Sequence, residues 1–224
     1  MRSAPTQVCL EVGSRRTFAW ALEWPGWCRS GRGEAAAVEA LAAVAPRYEP
    51  VAAMADVPFD LASIVAFEII ERLPGSAGTD FGVPSALAAA DGAEVSAADG
   101  ARLAALLDAS WRVFDRVAGS APPVLRKGPR GGGRDRDAIV AHVRQAEVDY
   151  ARKIALRIPR GDTLATNPAG ELRAAILRAI RAGSGGNTAE TPWPLRYAAR
   201  RIAWHVLDHA WEIEDRATVD VPTS

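Results

Sequence analysis

Arg201-Ile-Ala-Trp-His-Val-Leu-Asp-His-Ala-Trp-Glu-Ile-Glu-Asp-Arg216 is the stretch on which the reading of this chain turns. With the residues just before it, Ala198, Ile202, His205, His209 and Ile213 recur at spacings of four, three, four and four, the apolar stripe of a helix. His205 and His209 are one turn apart, so their imidazoles leave the helix in the same direction. The chain has three histidines in all. The third, His142, lies in the stripe of Ile139, Ala146 and Tyr150 on a second helical stretch, Arg136 to Arg157. Three imidazoles that meet inside a helical assembly form a metal site with an open position, the arrangement by which a cation activates water or a substrate. The competing reading is three unrelated histidines, two of them packed in a core. One heptad from a ligand, Asp149 and Glu212 project nearly as His142 and His205 do. Each is a candidate fourth ligand, orienting group or general base, and equally a solvated carboxylate near a helix end.

Working outward, the chain after Ser96 reads as helix only. Ser96-Ala-Ala-Asp99 has the spacing of a capping box, and Leu103, Leu106, Leu107, Trp111, Phe114 and Val117 follow as one apolar stripe. Pro122-Pro123 closes that helix, and a second follows Asp135. A third is bounded by Asn167-Pro168 and Gly183, and a fourth starts near Thr191-Pro192 and runs to about Arg216. Four helices of comparable length predict a four-helix bundle over residues 96–218.

Before it the pattern is α+β. Gln7 to Val12 and Arg16 to Trp24 read as strands around a Gly13-Ser14-Arg15 turn, with period two in Phe18, Trp20, Leu22 and Trp24. Pro25-Gly26 breaks the second strand, and Trp27-Cys28-Arg29 suits a further short one. Glu34 to Val44 is an alanine-rich helix ended by Pro46, and Ser63 to Leu73 reads as a final strand stopped by Pro74-Gly75. The expectation is a small antiparallel sheet with one helix over residues 1–75. A linker rich in Gly, Ala, Asp and Pro then spans 76–95.

With the triad in place, residues 96 to 217 resemble the DinB-like family of four-helix bundles, which includes mycothiol-dependent maleylpyruvate isomerases and bacillithiol S-transferases. That family carries a histidine on its second helix and a His-x3-His on its fourth, met here by His142, His205 and His209; Glu147 and Tyr150 also have the look of that second helix. The resemblance implies a divalent metal, zinc or nickel, and a thiol-linked reaction. The stretch Phe18-Ala-Trp-Ala-Leu-Glu-Trp-Pro-Gly-Trp-Cys-Arg-Ser-Gly31, with the helix after it, is similar to the HicB-like antitoxin fold. From that likeness the fold is taken over and the antitoxin role is not.

Leu125-Arg-Lys-Gly-Pro-Arg-Gly-Gly-Gly-Arg-Asp-Arg-Asp137 places Arg126, Lys127, Arg130, Arg134 and Arg136 around three successive glycines, just before the helix of His142. Arg130 and Arg134 are the candidates to hold the anionic end of a substrate or cosubstrate at a helix start. The alternative is a solvated connector whose aspartates neutralise some of the arginines. Trp111, Trp193, Trp204 and Trp211 suit either a pocket wall or plain packing.

Composition narrows the partners. The 27 basic and 27 acidic residues cancel, which removes the global electrostatic argument for nucleic acid or an anionic membrane. No apolar run approaches membrane-spanning length, and the N-terminus lacks a signal-peptide core. Cys9 and Cys28 read as buried thiols of a cytoplasmic protein. Lys127 and Lys153 are the only lysines beside many arginines and alanines, the bias of a GC-rich genome. That bias, together with the resemblance, points to mycothiol as the low-molecular-weight thiol.

The expectation is a metal-dependent protein that performs a thiol-dependent transfer, isomerisation or hydrolysis on a small molecule, either an S-transferase or a hydrolase. The alternative is a non-catalytic, metal-stabilised binding or sensing protein. Either arrangement allows a homodimer.

Overall fold

The computed structural model describes residues 4–128, 132–156, 168–183 and 193–217. Three strands open the chain: β1 (Thr6–Val12), β2 (Thr17–Ala21) and β3 (Cys28–Gly31). They form an antiparallel meander, with Leu10 opposite Ala19 and Ala19 opposite Arg29. Helices α1 (Glu34–Ala43), α2 (Ala45–Met54) and the single turn α3 (Leu61–Ile64) follow, and then β4 (Phe67–Pro74). β4 lies beside β1 and runs parallel to it, giving the order β3-β2-β1-β4.

Three expectations are corrected here. The sheet is mixed, not antiparallel, because the helical crossover returns β4 to the free edge of β1 in the same direction as β1. Alternation in β4 cannot reveal this, since a half-buried strand alternates in the same way in either pairing. The expected single helix is also more than one. Pro46 falls in the first turn of α2, where its missing N–H costs nothing, so it starts a helix as readily as it ends one. β4 itself begins at Phe67, the residues before it being spent on α3.

Both faces of β2 are covered, and all five of its residues are buried. Ala19 and Ala21 join Val8, Leu10, Leu41 and Val51 in the large core, whereas Phe18 and Trp20 face the other way with Cys9, Cys28 and Trp204. Trp27 stacks on Tyr48 at 5.8 Å and donates its indole N–H to the Leu41 carbonyl at 2.9 Å. Both thiols are free and buried, and burial pushes each up to about 12.

The stretch expected as a linker is structured. It holds α4 (Ala77–Phe81), capped by Ser76, and a 3₁₀ turn at Ala89–Gly92. The buried Glu11 carboxylate of β1 accepts from the Thr79 hydroxyl and from the backbone N–H groups of Ser85 and Ala86. Asp91 pairs with Arg200, both almost fully buried.

Four longer helices follow: α5 (Ala97–Ser120), α6 (Arg136–Lys153), α7 (Pro168–Ala182) and α8 (Leu195–Ala217). The Ser96 hydroxyl accepts from the Asp99 N–H, one half of the expected capping box, while the Asp99 carboxylate pairs with Arg196. α5 packs along α7 and α8, and α6 packs along the same two. α8 is more enclosed than a one-stripe amphipath: every residue from Tyr197 to Leu207 is buried. The reason lies in what surrounds it. Trp204 meets Phe18 of β2 edge-on at 6.1 Å, and Asp208 pairs with Arg29 of β3 at 2.8 Å. A Cβ on Gly26, whose φ is +91°, would come within 2.7 Å of Leu207, so the Pro25-Gly26 turn presses directly on α8. One continuous buried apolar cluster therefore runs from the sheet into the helices. No helix among the described residues is long and apolar enough to cross a membrane.

Candidate metal centre

α6 and α8 lie side by side, and their contact brings the three histidines together. One ring nitrogen from each of His142, His205 and His209 lies within 4.8 Å of the other two. The Nε2 atoms of His142 and His205 are 3.2 Å apart. Two nitrogens bound to one zinc at about 2.0–2.1 Å, at a tetrahedral angle, stand roughly 3.3 Å apart. The pair is therefore spaced as two ligands of one ion. His209 closes the triangle, with ring centroids 5.0 Å from His142 and 4.7 Å from His205.

The charge state suits a cation. Burial, reinforced by His209, Arg201, His142 and Arg134, holds His205 down to about 2, so it is neutral and keeps a lone pair to give. Burial also lowers His142, with help from His209 and Arg134. His205 is 8% exposed, and its Nδ1 is buried without a hydrogen-bond partner.

The candidate carboxylates separate. Glu212 accepts from Nδ1–H of His209 at 2.8 Å, which leaves Nε2 of that ring for a metal, and its second oxygen accepts from Arg216 at 2.6 Å. These two bonds hold the Glu212 carboxyl below its usual range. A carboxylate behind a ligating histidine fixes its tautomer and direction and raises its basicity. Asp149 instead is exposed and bonds Arg152 at 2.9 Å. It is not brought to the histidines.

Comparison with protein-family models, with curated proteins and with solved structures returns no match.

Among the described residues, the arginine-glycine segment connects to the histidines through a relay. Arg216 donates to the Arg126 carbonyl at 2.8 Å, and a Cβ on Gly133 would sit 2.7 Å from the same guanidinium. Arg216 in turn holds Glu212, which holds His209. Two cations of the segment are neutralised locally, Lys127 by Asp135 at 2.6 Å and Arg136 by Asp137 at 2.8 Å. Arg134 is exposed, and its charge is among those that depress His142 and His205. Arg130 lies outside the described residues.

Among the tryptophans, Trp204 is 6.2 Å from the His205 ring, and Trp193 packs on Tyr150 and Tyr197. Trp111 lies beneath Arg173, and Trp211 beneath Arg29. Glu147 is buried and bonded to Arg173, whereas Tyr150 meets His205 edge-on at 5.6 Å. The reading from sequence passed over Arg201, which stacks on Trp204 and Tyr150 one turn before His205. Its signal was the four-residue spacing, which sends it out of α8 on the face of His205.

Proposed function

We propose that this chain is a metal-dependent protein of the DinB-like kind, with α5 to α8 as its four-helix bundle and His142, His205 and His209 as ligands of one divalent cation, zinc or nickel. The observation that carries the reading is the 3.2 Å approach of two Nε2 atoms from different helices, with a third imidazole aimed by Glu212. Three nitrogen donors and no thiolate or carboxylate in the inner set suit such an ion and leave a position open. A cation there supplies Lewis acidity, lowering the pKa of a water or thiol in the open position.

The residues of the chain do the rest. His205 stays neutral down to acidic pH, and burial shifts His142 in the same direction, which favours both as donors. Glu212 fixes the His209 tautomer, and Arg216 keeps Glu212 ionised. Trp204 and Tyr150 stand against His205 and lower the dielectric on that side, which strengthens the electrostatic interactions there. The activity that fits is thiol-dependent transfer, isomerisation or hydrolysis on a small molecule, with mycothiol or a similar thiol as cosubstrate. Elemental analysis of the purified protein, with a thiol-transfer screen on the same sample, tests it. About one equivalent of metal in wild type and none in His205→Ala is expected. Metal-free wild type that takes up no zinc or nickel on dialysis overturns the reading.

A further inference from the structure

Arg201 carries a charge that the described part of the fold does not answer. It is 8% exposed, its NH1 atom is buried with no hydrogen-bond partner, and none of the described carboxylates forms an ion pair with it. Its neighbour Arg200, equally buried, has Asp91. A buried guanidinium without an acceptor is costly, and among the described residues the half-buried Arg173 has a carboxylate too, that of Glu147. What surrounds Arg201 is aromatic. Its guanidinium lies 4.5 Å over the Trp204 ring and 5.3 Å over Tyr150, which itself meets His205. The rings offer no hydrogen-bond acceptor at the edge of the guanidinium, where the N–H donors lie in one plane. That edge matches a planar acceptor with two oxygens.

We infer that Arg201 is the anchor for a carboxylate on the small molecule that meets the three-histidine centre. The inference rests on the metal reading for the position of the ligand's other end, but the arginine is testable by itself. Arg201 and His205 are four residues apart on α8, so they are neighbours on one face, roughly 5–6 Å between Cβ atoms. A short acid bearing a thiol a few bonds from its carboxylate is of the size to set its oxygens on Arg201 and its sulfur towards the imidazoles. The substrate class is therefore a small carboxylic acid, with the apolar part of its chain against Trp204 and Tyr150.

The test uses the full chain loaded with cobalt(II), whose absorption reports a thiolate ligand. 3-Mercaptopropionate and its neutral counterpart 2-mercaptoethanol are titrated against wild type, Arg201→Gln and Arg201→Lys, with metal content measured on each sample. Wild type is expected to prefer the acid by about tenfold or more, the usual strength of a charge-assisted bond. Arg201→Gln should lose that preference with metal content unchanged, and Arg201→Lys should keep only part of it. Equal preference in wild type and Arg201→Gln overturns the anchor. In protein that holds no metal, propionate and inorganic phosphate are titrated by calorimetry. Propionate binding that Arg201→Gln abolishes keeps the anchor while the metal reading fails; no propionate binding, or binding of phosphate in its place, overturns the anchor. Circular dichroism of both variants checks that each is folded under the conditions of the titrations.

Discussion

Glu212 grips Nδ1 of His209 at 2.8 Å from one turn further along α8, and this contact fixes the direction of the imidazole. Arg216, one more turn on, holds the other oxygen at 2.6 Å. Removing the carboxylate frees the ring to rotate and lets the other tautomer form. Glu212→Ala should therefore weaken zinc about 10- to 100-fold, the usual effect of losing such a partner. Competition with a chromogenic chelator measures it. Asp149→Ala is the control and should bind as wild type; equal affinity in both variants removes Glu212 from the centre.

The two helices are joined at the centre, so metal should bind the folded state and stabilise it. His142 comes from α6 and His205 from α8. At a free metal concentration 100 times the dissociation constant, linkage gives about 2.7 kcal/mol. Thermal melts with and without zinc read this directly. His142→Ala should erase the shift, and an unchanged shift in that variant would mean the metal binds elsewhere.

His205 predicts an acid sensitivity of the metal-free protein. Burial holds its pKa down to about 2 in the folded state, against 6.5 for the free side chain. Below pH 6.5 the unfolded chain takes up a proton that the folded one refuses. Stability is therefore full above 6.5 and falls as the pH drops, by up to about 1.4 kcal/mol per pH unit from this group. Urea unfolding at pH 7.5, 6.5 and 5.5 tests it, with His205→Gln as the reference. The wild type should lose more stability than the variant over that range; parallel curves would count against it.

The Arg200–Asp91 pair fastens the segment after α4 to the second turn of α8, with Arg200 5% and Asp91 2% exposed. Asp91→Ala strands a buried cation and should cost about 3–5 kcal/mol. The double change Asp91→Leu with Arg200→Met should recover much of that loss. Chemical denaturation of the three proteins gives the comparison, and a single variant within about 1 kcal/mol of wild type would show that water reaches the pair.

What was legible in the sequence was what repeats locally. Ser96, Asp135, Pro168 and Gly183 mark helix ends because capping and ring geometry act within a few residues: α5, α6 and α7 begin at the first three, and α7 ends beside the fourth. The His205–His209 pair was legible for the same reason, since four residues are one turn. The direction of β4 was not, because alternation reports burial and says nothing about which way the neighbour runs. Nor was the second helix after Pro46, since one proline serves as a stop or a start depending on the chain's path.

By itself the sequence determined the long helices, the strands of the meander and which two imidazoles share a face, all consequences of backbone period and side-chain direction. Only the tertiary structure decided that His142 comes to 3.2 Å from His205, that Glu212 bonds His209 whereas Asp149 bonds Arg152, and that Arg201 is enclosed beside the cluster. The physical reason is that each of these depends on the packing of α8 against α6 on one side and the sheet on the other. Such contacts join residues dozens of positions apart, and no local spacing encodes them.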